Sequence, residues 1–392
     1  MNILIINSGS SSIKYQLIHM PSEKVTCGGL IERIGTDKAT IKYKTETEDI
    51  EEVLPIADHQ IGLQKIAQLL LDNEIGVIAD TKEIDIVGHR VVHGGKPFKK
   101  TTVIDDDVKD KIKSLFTLAP LHNPPNLQGI ILAEEIFSTA KQVAVFDTAF
   151  HHTIPEKVKK YAIPTDFYDN HRIQLYGFHG TSHKYVSEKA IEFLKLKQSK
   201  IITIHLGNGC SITAVKDGVS IDHSMGFTPS NGLIMGSRSG DIDHALIFHM
   251  VTTMGYNLED VNTLLTKKSG MLGLTGYSDL RDIEAEAANG NKACQLGLEM
   301  NAYRIKKYIG SYAVAMNGLD AIVFTAGIGE NSDLLRTMVC SDMDFMGIEI
   351  DNIKNEARSK GINVISKDDA KVKVMVIPTN EELEIAKQAY NL

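Results

Sequence analysis

The sequence predicts an α/β protein assembled from two duplicated halves. Apolar runs short enough to be buried strands alternate with stretches of helical periodicity. One strand, small-residue loop, strand unit opens the chain, and a second lies about half a chain later. At 392 residues the chain exceeds one ordinary core, so two domains are expected.

The first unit starts with the apolar run at 3–6, passes through the loop NSGSSS at 7–12 and returns as a strand at 13–18 with Lys14 near its start. Such a Gly/Ser hairpin tip offers closely spaced N–H groups and hydroxyls to an anion. Further strands are expected at 24–34 and 40–43. Ile61, Ile66, Leu69 and Leu70 predict a helix over 61–71. A strand at 84–87 runs into GHRVVHGG (88–95). Helices expected at 106–116 and 126–138 flank a Pro-rich loop at 121–125, and a buried strand at 142–146 ends at Asp147.

The strand at 201–205 again feeds a Gly-rich turn, LGNGCS (206–211), and again a strand, 212–215. With Ser211 laid on Ser12, an offset of 199, Ile212 falls on Ile13. Turns share composition everywhere, so the mid-chain position of this match gives it its weight. Helices follow at 243–254 and 293–316. A strand at 321–325 leads to a third Gly-rich loop, 326–331, and a strand at 373–377 precedes a C-terminal helix capped by Thr379 or Asn380.

A hydrophobic content of 43% and a charged content of 23% are those of a soluble globular protein. The net charge of −8 argues against nucleic acid or an anionic membrane as a partner, so any phosphate ligand needs a local cluster of cations. The scattered cysteines Cys27, Cys210, Cys294 and Cys340 read as reduced thiols of a cytoplasmic protein, with no zinc site. The N-terminal stretch lacks the cationic region of a signal peptide, and no apolar run approaches the length of a membrane span.

Three strand-to-Gly-loop transitions, ending at Asn7, His205 and Thr325, point together to a nucleotide cleft, although each alone reads as an ordinary turn. Neither GxxxxGK[ST] nor GxGxxG after a strand is present, so the phosphates would be held by hairpin loops. Arg90, between Gly88 and Gly94-Gly95, and Arg238, in GSRSGD (236–241), share a small-residue setting. A surface arginine is usually of little consequence. Two Gly-framed ones suggest a paired clamp on an oxyanion. His179, in YGFHGTSH (176–183), is expected at a helix N-terminus, where a histidine donates a hydrogen bond toward an anion or merely caps. Asp147, at a strand end, can orient an arginine or position a nucleophile. His122, His151 and His152 read as loop supports. Glu381, opening the last helix, is either a dipole partner or a carboxylate serving a nucleotide-bound Mg²⁺.

NSGSSS with Lys14, and GHRVVHG (88–94), resemble the two signature segments of the acetate kinase family. HLGNG (205–209) and GIGEN (327–331) are similar to its nucleotide-binding segments. The resemblance covers the whole chain in order. It implies the fold of acetate and sugar kinases, Hsp70 and actin: two duplicated actin-like, ribonuclease H-like domains with an interdomain nucleotide cleft. The first would span 1–149, completed by a C-terminal helix at 382–392, and the nucleotide-binding second 150–381. The implied reaction is reversible in-line transfer of the ATP γ-phosphoryl to acetate, giving acetyl phosphate and ADP, with Mg²⁺ as cofactor and Mn²⁺ as its substitute.

Carried over by position, Asn7 and Glu381 serve the metal, and Lys14 reaches toward phosphate. Arg90 and Arg238 bind the carboxylate or acetyl phosphate, His179 hydrogen-bonds the transferring phosphoryl, and Asp147 is the essential acid. His205, Leu206, Gly207, Asn208 and Gly209 would hold the nucleotide, with Asp279, Leu280 and Arg281, and with Gly327, Ile328, Gly329, Glu330 and Asn331. Val92, Leu121, Phe178 and Pro229 would form a small pocket for a methyl group. Val92 leaves less room than alanine would, which leans toward acetate over propionate. The resemblance also implies a homodimer. A propionate or butyrate kinase of the same fold is the alternative. A nucleotide-gated binding protein of the actin and Hsp70 branch is the rival from another class, and it leaves Arg90 and Arg238 without a use.

Overall fold

The computed structural model describes residues 1–358 and 361–392. The chain divides into two compact units: Met1–Phe150 with Asn380–Leu392, and His151–Thr379.

In the first unit β1 (Asn2–Ser8) and β2 (Ser12–His19) form a hairpin with Asn7 opposite Lys14. The antiparallel run continues through β3 (Lys24–Glu32), β4 (Thr36–Thr45) and β5 (Asp49–Ile56). After α1 (His59–Leu70), β6 (Ile86–Val91) lies parallel to β1. Then come β7 (Thr102–Val103), α2 (Asp106–Ser114), α3 (Asn123–Ile136) and β8 (Lys141–Phe146), the last parallel to β6. The strand order is β5-β4-β3-β2-β1-β6-β8-β7. Ile3, Leu4, Ile5 and Ile6 are all buried, as a strand covered on both faces requires. In β4, Ile41 and Tyr43 point inward while Lys42 and Lys44 stay in water, so only one face is packed there.

One core joins these strands to α1 through Leu63, Ile66 and Leu70. Asp58 caps that helix by accepting from the Ile61 N–H. A second core packs Ile112, Leu115 and Ile130 around Phe146, whose ring stacks on Phe98 at 4.2 Å between centroids. The C-terminal helix (Glu381–Tyr390) is capped by Asn380 and packs beside β1 and β6. Its approach needs Gly88, where a Cβ would come 2.8 Å from Ile5 and 3.0 Å from Ile385.

The second unit holds the short helices α4 (Glu156–Lys159) and α5 (Asp166–Asp169), then α6 (Gly180–Leu194) and the strands β9 (Lys200–Leu206), β10 (Cys210–Lys216) and β11 (Val219–His223). A helical segment follows: α7 (Ala245–Thr252), α8 (Leu258–Lys267), α9 (Gly270–Thr275), α10 (Leu280–Ala288) and α11 (Lys292–Met316). β12 (Ala321–Thr325), α12 (Ala326–Asn331), α13 (Asp333–Cys340), α14 (Asn352–Glu356), β13 (Asn363–Val364) and β14 (Lys373–Val376) complete it. The sheet order is β11-β10-β9-β12-β14-β13. Each unit thus carries an antiparallel three-strand meander whose first strand is extended by two parallel strands. This is the actin-like, ribonuclease H-like plan, in two copies.

Four local expectations need correction. Gly88, His89 and Arg90 do not follow the strand expected at 84–87 but lie within it, because β6 runs from Ile86 to Val91. Pro124 and Pro125 lie in the first turn of α3, where a missing N–H costs nothing. The Gly-rich segment 326–331 is the helix α12, reached through Ala326 at a φ of 64°. The duplication holds, but one offset cannot serve both arms of the hairpins. The first tip spans four residues, Gly9 to Ser12, and the second three, Gly207 to Gly209.

Leu63→Ala is expected to lower the unfolding free energy by about 2–5 kcal/mol. Val53→Ala, at a position 67% exposed, should stay within about 0.5 kcal/mol. Urea unfolding of the two variants checks both values.

Candidate active site

In the first unit the chemistry collects where β6 and β8 end. Arg90 lies opposite Val145 in the ladder, and Asp147 follows β8 directly, its N–H donating to the Val91 carbonyl at 3.0 Å. The guanidinium grips the carboxylate with two bonds, Nε to Oδ1 at 3.0 Å and Nη2 to Oδ2 at 2.6 Å. Asp147 is buried, whereas the Arg90 side chain keeps 20% of its surface exposed. Burial opposes the Arg90 charge, and Asp147, Glu381 and Glu382 outweigh it to hold the pKa above the ordinary value. Lys14, expected to reach toward phosphate, is paired with Glu382 at 2.7 Å.

The frame around these groups is polar. Asn126 accepts from the Val92 N–H at 3.0 Å and donates to the Ser8 carbonyl at 2.7 Å. Asn123 accepts from the His93 N–H and donates to the His93 carbonyl. α3 approaches β1 so closely that a Cβ on Gly129 would sit 2.7 Å from that of Ser8.

Asn7, at the end of β1, and Glu381, at the start of the C-terminal helix, are both half-buried. Among the described residues no cluster of three or more His, Cys, Asp or Glu is placed to hold a metal ion. The chemistry of an amide oxygen and a carboxylate would suit Mg²⁺, an ion that keeps several waters and takes substrate phosphates as ligands.

In the second unit His179 precedes α6 in the left-handed conformation, φ 55°, a strained position for a non-glycine residue. Its Nδ1 lies 2.9 Å from the Ser211 hydroxyl. A Cβ on Gly209 would stand 3.4 Å from His179 Nε2 and 3.8 Å from Arg238 Nη1, so both side chains border the same small gap. Arg238 donates to the Pro229 carbonyl at 2.8 Å, and burial lowers its pKa.

A cavity of about 930 Å³ opens in this unit. It brings together Gly207 and Asn208, then Asp279, Leu280 and Arg281, then Gly327, Ile328 and Asn331. Asp279 caps α10 and is gripped twice by Arg281, which together with the Arg281 N–H pulls the carboxyl down to about 2. Ser278, Glu284, Ala285, Ser332, Asp333 and Arg358 also line it, and the sequence reading missed them. Glu284 follows Leu280 by four residues, one helical turn, and that spacing was the available signal. Arg358 carried none.

Five expected nucleotide residues do not line this cavity. Leu206 is buried, and His205 Nδ1 is 2.8 Å from the Ser182 hydroxyl. Gly209 adjoins His179 instead, Gly329 packs on Phe324, and Glu330 accepts from the Thr379 N–H. Of the expected acceptor-pocket residues, Val92 and Leu121 belong to the first unit, with Leu121 65% exposed. Phe178, buried, and Pro229, half-buried, belong to the second.

The model of the Acetokinase family matches residues 2–387. The chain belongs to the acetokinase family. It is 64% identical to the acetate kinase of Flavobacterium johnsoniae over 392 residues, 100% of this chain and 99% of that protein. The Thermotoga maritima acetate kinase is 53% identical, with 99% of this chain and 97% of the relative covered. Among solved structures, the Porphyromonas gingivalis acetate kinase superposes with a TM-score of 0.94 at 44% identity, covering 100% and 99% of the two chains. A propionate kinase from Francisella tularensis does so with 0.93 at 41%, with the same coverage. No helix among the described residues is long and apolar enough to cross a membrane.

Burial holds the His151 imidazole down at about 4, and His183 and His223 well below the ordinary value. A buried neutral histidine stabilises the fold above its unfolded pKa, and that contribution is lost as pH falls toward the folded one. Asp222, raised to about 6 by burial, runs in the opposite sense. Unfolding free energy should therefore fall between pH 7 and pH 5. In His151→Gln that loss should be smaller by about 2 kcal/mol. Urea titrations at the two pH values measure the difference.

Proposed function

We propose that this protein transfers the γ-phosphoryl group of ATP to acetate, reversibly, giving acetyl phosphate and ADP. It is a phosphotransferase with a carboxyl acceptor. The observation that carries the reading is the full-length likeness to acetate kinases, in a chain whose Gly-framed arginines and Gly-rich segments resemble the family's signature segments.

The chemistry asks little covalent help of the protein, so positioning and charge neutralisation dominate. A carboxylate acceptor is ionised near neutral pH, its reference pKa being about 4. No strong general base is required, which suits an Asp147 engaged in orienting Arg90. Arg90 and Arg238 bind the acceptor carboxylate and steady the charge that builds on the phosphoryl oxygens, and His179 hydrogen-bonds the transferring group. Each such contact contributes roughly 3 kcal/mol to the transition state. The cavity of the second unit takes the nucleoside. Asn7 and Glu381 would hold Mg²⁺, whose charge neutralises nucleotide phosphates when bound. We place the protein in the cytoplasm, in keeping with its reduced buried cysteines.

Arg90→Ala and Arg238→Ala should each lose at least about 100-fold in kcat. Hydroxylamine trapping of acyl phosphate from ATP, Mg²⁺ and acetate reads this out; near-normal turnover in either variant removes that arginine from the clamp. Failure of the wild-type protein to form hydroxamate would sink the kinase reading. The alternative acceptor is propionate, supported by the Francisella tularensis likeness. A butyrate or propionate kcat/KM above the acetate value would select that reading. One methylene is worth about 1–3 kcal/mol in such a pocket, so preference and not exclusion is expected.

We also propose that the protein is a homodimer. None of the eight residues of α7 is buried, although the helix is apolar, with Leu246 46% and Phe248 65% exposed. An apolar helix face without a core to cover it suits a second copy of the chain. Phe248→Glu should halve the mass seen by light scattering, while an unchanged mass would reject this face.

A further inference from the structure

The two arginines of the site are held in different ways. Arg90 is gripped by a carboxylate, whereas no carboxylate pairs with Arg238 among the described residues. The Arg238 Nη1 donates to the Pro229 carbonyl at 2.8 Å and lies 3.8 Å from the Met235 sulfur. A cation left uncompensated keeps its field for an anionic ligand. Its direction is then set by the backbone that carries it, and that backbone is a loop. Residues 232–241, between β11 and α7, form neither helix nor strand.

The middle of the loop is fastened to its surroundings through the main chain. The Gly236 N–H donates to the Asn208 carbonyl at 3.1 Å, and the Ser239 N–H to that of Leu265 at 3.0 Å. In return the Ser237 carbonyl accepts from the Ser269 N–H at 3.0 Å. These bonds leave the two ends of the loop to be closed.

Asp241 closes them. Its N–H donates to the Gly232 carbonyl at 3.0 Å, and its Oδ1 accepts from the Gly232 N–H at 2.8 Å, so first and last residues are joined twice. Gly232 takes a φ of 89°, and a Cβ there would stand 2.6 Å from that of Ser224, so the position needs glycine. The other carboxylate oxygen, Oδ2, accepts from the Tyr308 hydroxyl at 2.6 Å. Burial and this bond raise the Tyr308 pKa above its ordinary value, so the hydroxyl keeps the proton that it donates. Arg304, one turn earlier on α11, donates from Nη1 to the Gly232 carbonyl at 2.9 Å and to the Asp241 carbonyl at 3.3 Å. The Arg304–Asp241 ion pair itself is 3.9 Å long, with 42% of the Asp241 side chain exposed, and contributes little. The hydrogen bonds hold the neck.

We propose that Asp241 and Tyr308 are positioning residues that close the neck of this loop and so fix the direction of the Arg238 guanidinium. The consequence for catalysis rests on Arg238 serving the acceptor and phosphoryl groups; the closure of the loop does not. Neither residue touches substrate in this account, and both act through Arg238. A long side chain magnifies small shifts of its backbone, and a misplacement of about 1 Å can cost about 100-fold in rate.

Hydrogen exchange of the full chain, read by mass spectrometry, tests the closure without any assay of activity. In Asp241→Ala the segment 233–240 should exchange at least about tenfold faster than in wild type, with 201–206 and 211–215 unchanged. Equal rates in 233–240 would overturn the proposal. In the hydroxamate assay Asp241→Ala should lose about 10–100-fold in kcat/KM for acetate, with the KM for ATP within about twofold of wild type. Asp241→Asn, whose amide oxygen still accepts from Gly232, should recover most of the wild-type value. Tyr308→Phe should show a smaller loss of the same kind, and it carries the test if Asp241→Ala does not fold. The double variant is decisive. Adding Asp241→Ala to Arg238→Ala should cost less than about twofold beyond Arg238→Ala alone, because the first residue acts only through the second. A double loss equal to the product of the two single losses would refute positioning. If the wild-type protein makes no hydroxamate, the phosphotransfer reading fails, and the exchange rates still decide whether Asp241 closes the loop.

Discussion

A buried parallel strand has to end inside the protein, and its last peptide groups then lose their ladder partners without gaining water. That constraint organises the first unit. The chain leaving β6 hands the Val92 N–H to Asn126 and both backbone groups of His93 to Asn123. It hands the Gly94 N–H to the Thr148 hydroxyl. Asn126 also takes the Ser8 carbonyl, so one helix N-terminus ties two strand ends together. Arg90 and Asp147 stand in this frame and inherit its rigidity. The second unit meets the same demand at the end of β14, where the Ile377 carbonyl accepts from the Thr325 hydroxyl.

The two units share a strand plan and solve its polar interior differently. The first concentrates full charges, with Arg90 bound to Asp147 and Lys14 to Glu382. Taking the Asp147 charge out of water is costly, and a partner without full hydrogen bonding would leave the pair a net liability. The two-pronged grip on Asp147 meets that condition. The second unit lines its inner face with hydroxyls and imidazoles, and burial holds His151, His183 and His223 below the ordinary value.

What could be read from the sequence was local. The apolar runs of β1, β9 and β12 and the glycines at 207, 209 and 327 announce themselves within a few residues. β5 could not be read, because Asp49, Glu51 and Glu52 sit in a strand at the sheet edge whose outer face is wet. The helix α12 was hidden by Gly327 and Gly329, which signal loops unless tertiary packing intervenes, as Phe324 and Ile204 do around Gly329. The bond of Arg90 to Asp147 spans 57 residues, and only the parallel register of β6 and β8 brings them together. The polar alternation of Thr203 and His205 against Ser211 and Thr213 was visible as letters, but its meaning depended on α6 lying over it.

The C-terminal helix belongs to the first unit, yet more than two hundred residues of the second unit separate it from the strands that it covers. During synthesis the N-terminal sheet therefore emerges without its lid. Ile5 and Gly88 face a surface whose covering side chains, Ile385 and Ala389, do not yet exist. Domains of a nascent chain generally fold from the N-terminus onward. Here the first unit cannot close before the last residues have been made. The second unit can finish first, and the first becomes complete only as the end of the chain comes back to it, bringing Glu381 and Glu382 to Arg90 in the same movement. The share of the charge around Arg90 that Glu381 and Glu382 supply thus comes with the end of the chain, whereas Asp147 is already beside it. A chain interrupted late would carry a finished second unit beside an open, incompletely charged first one.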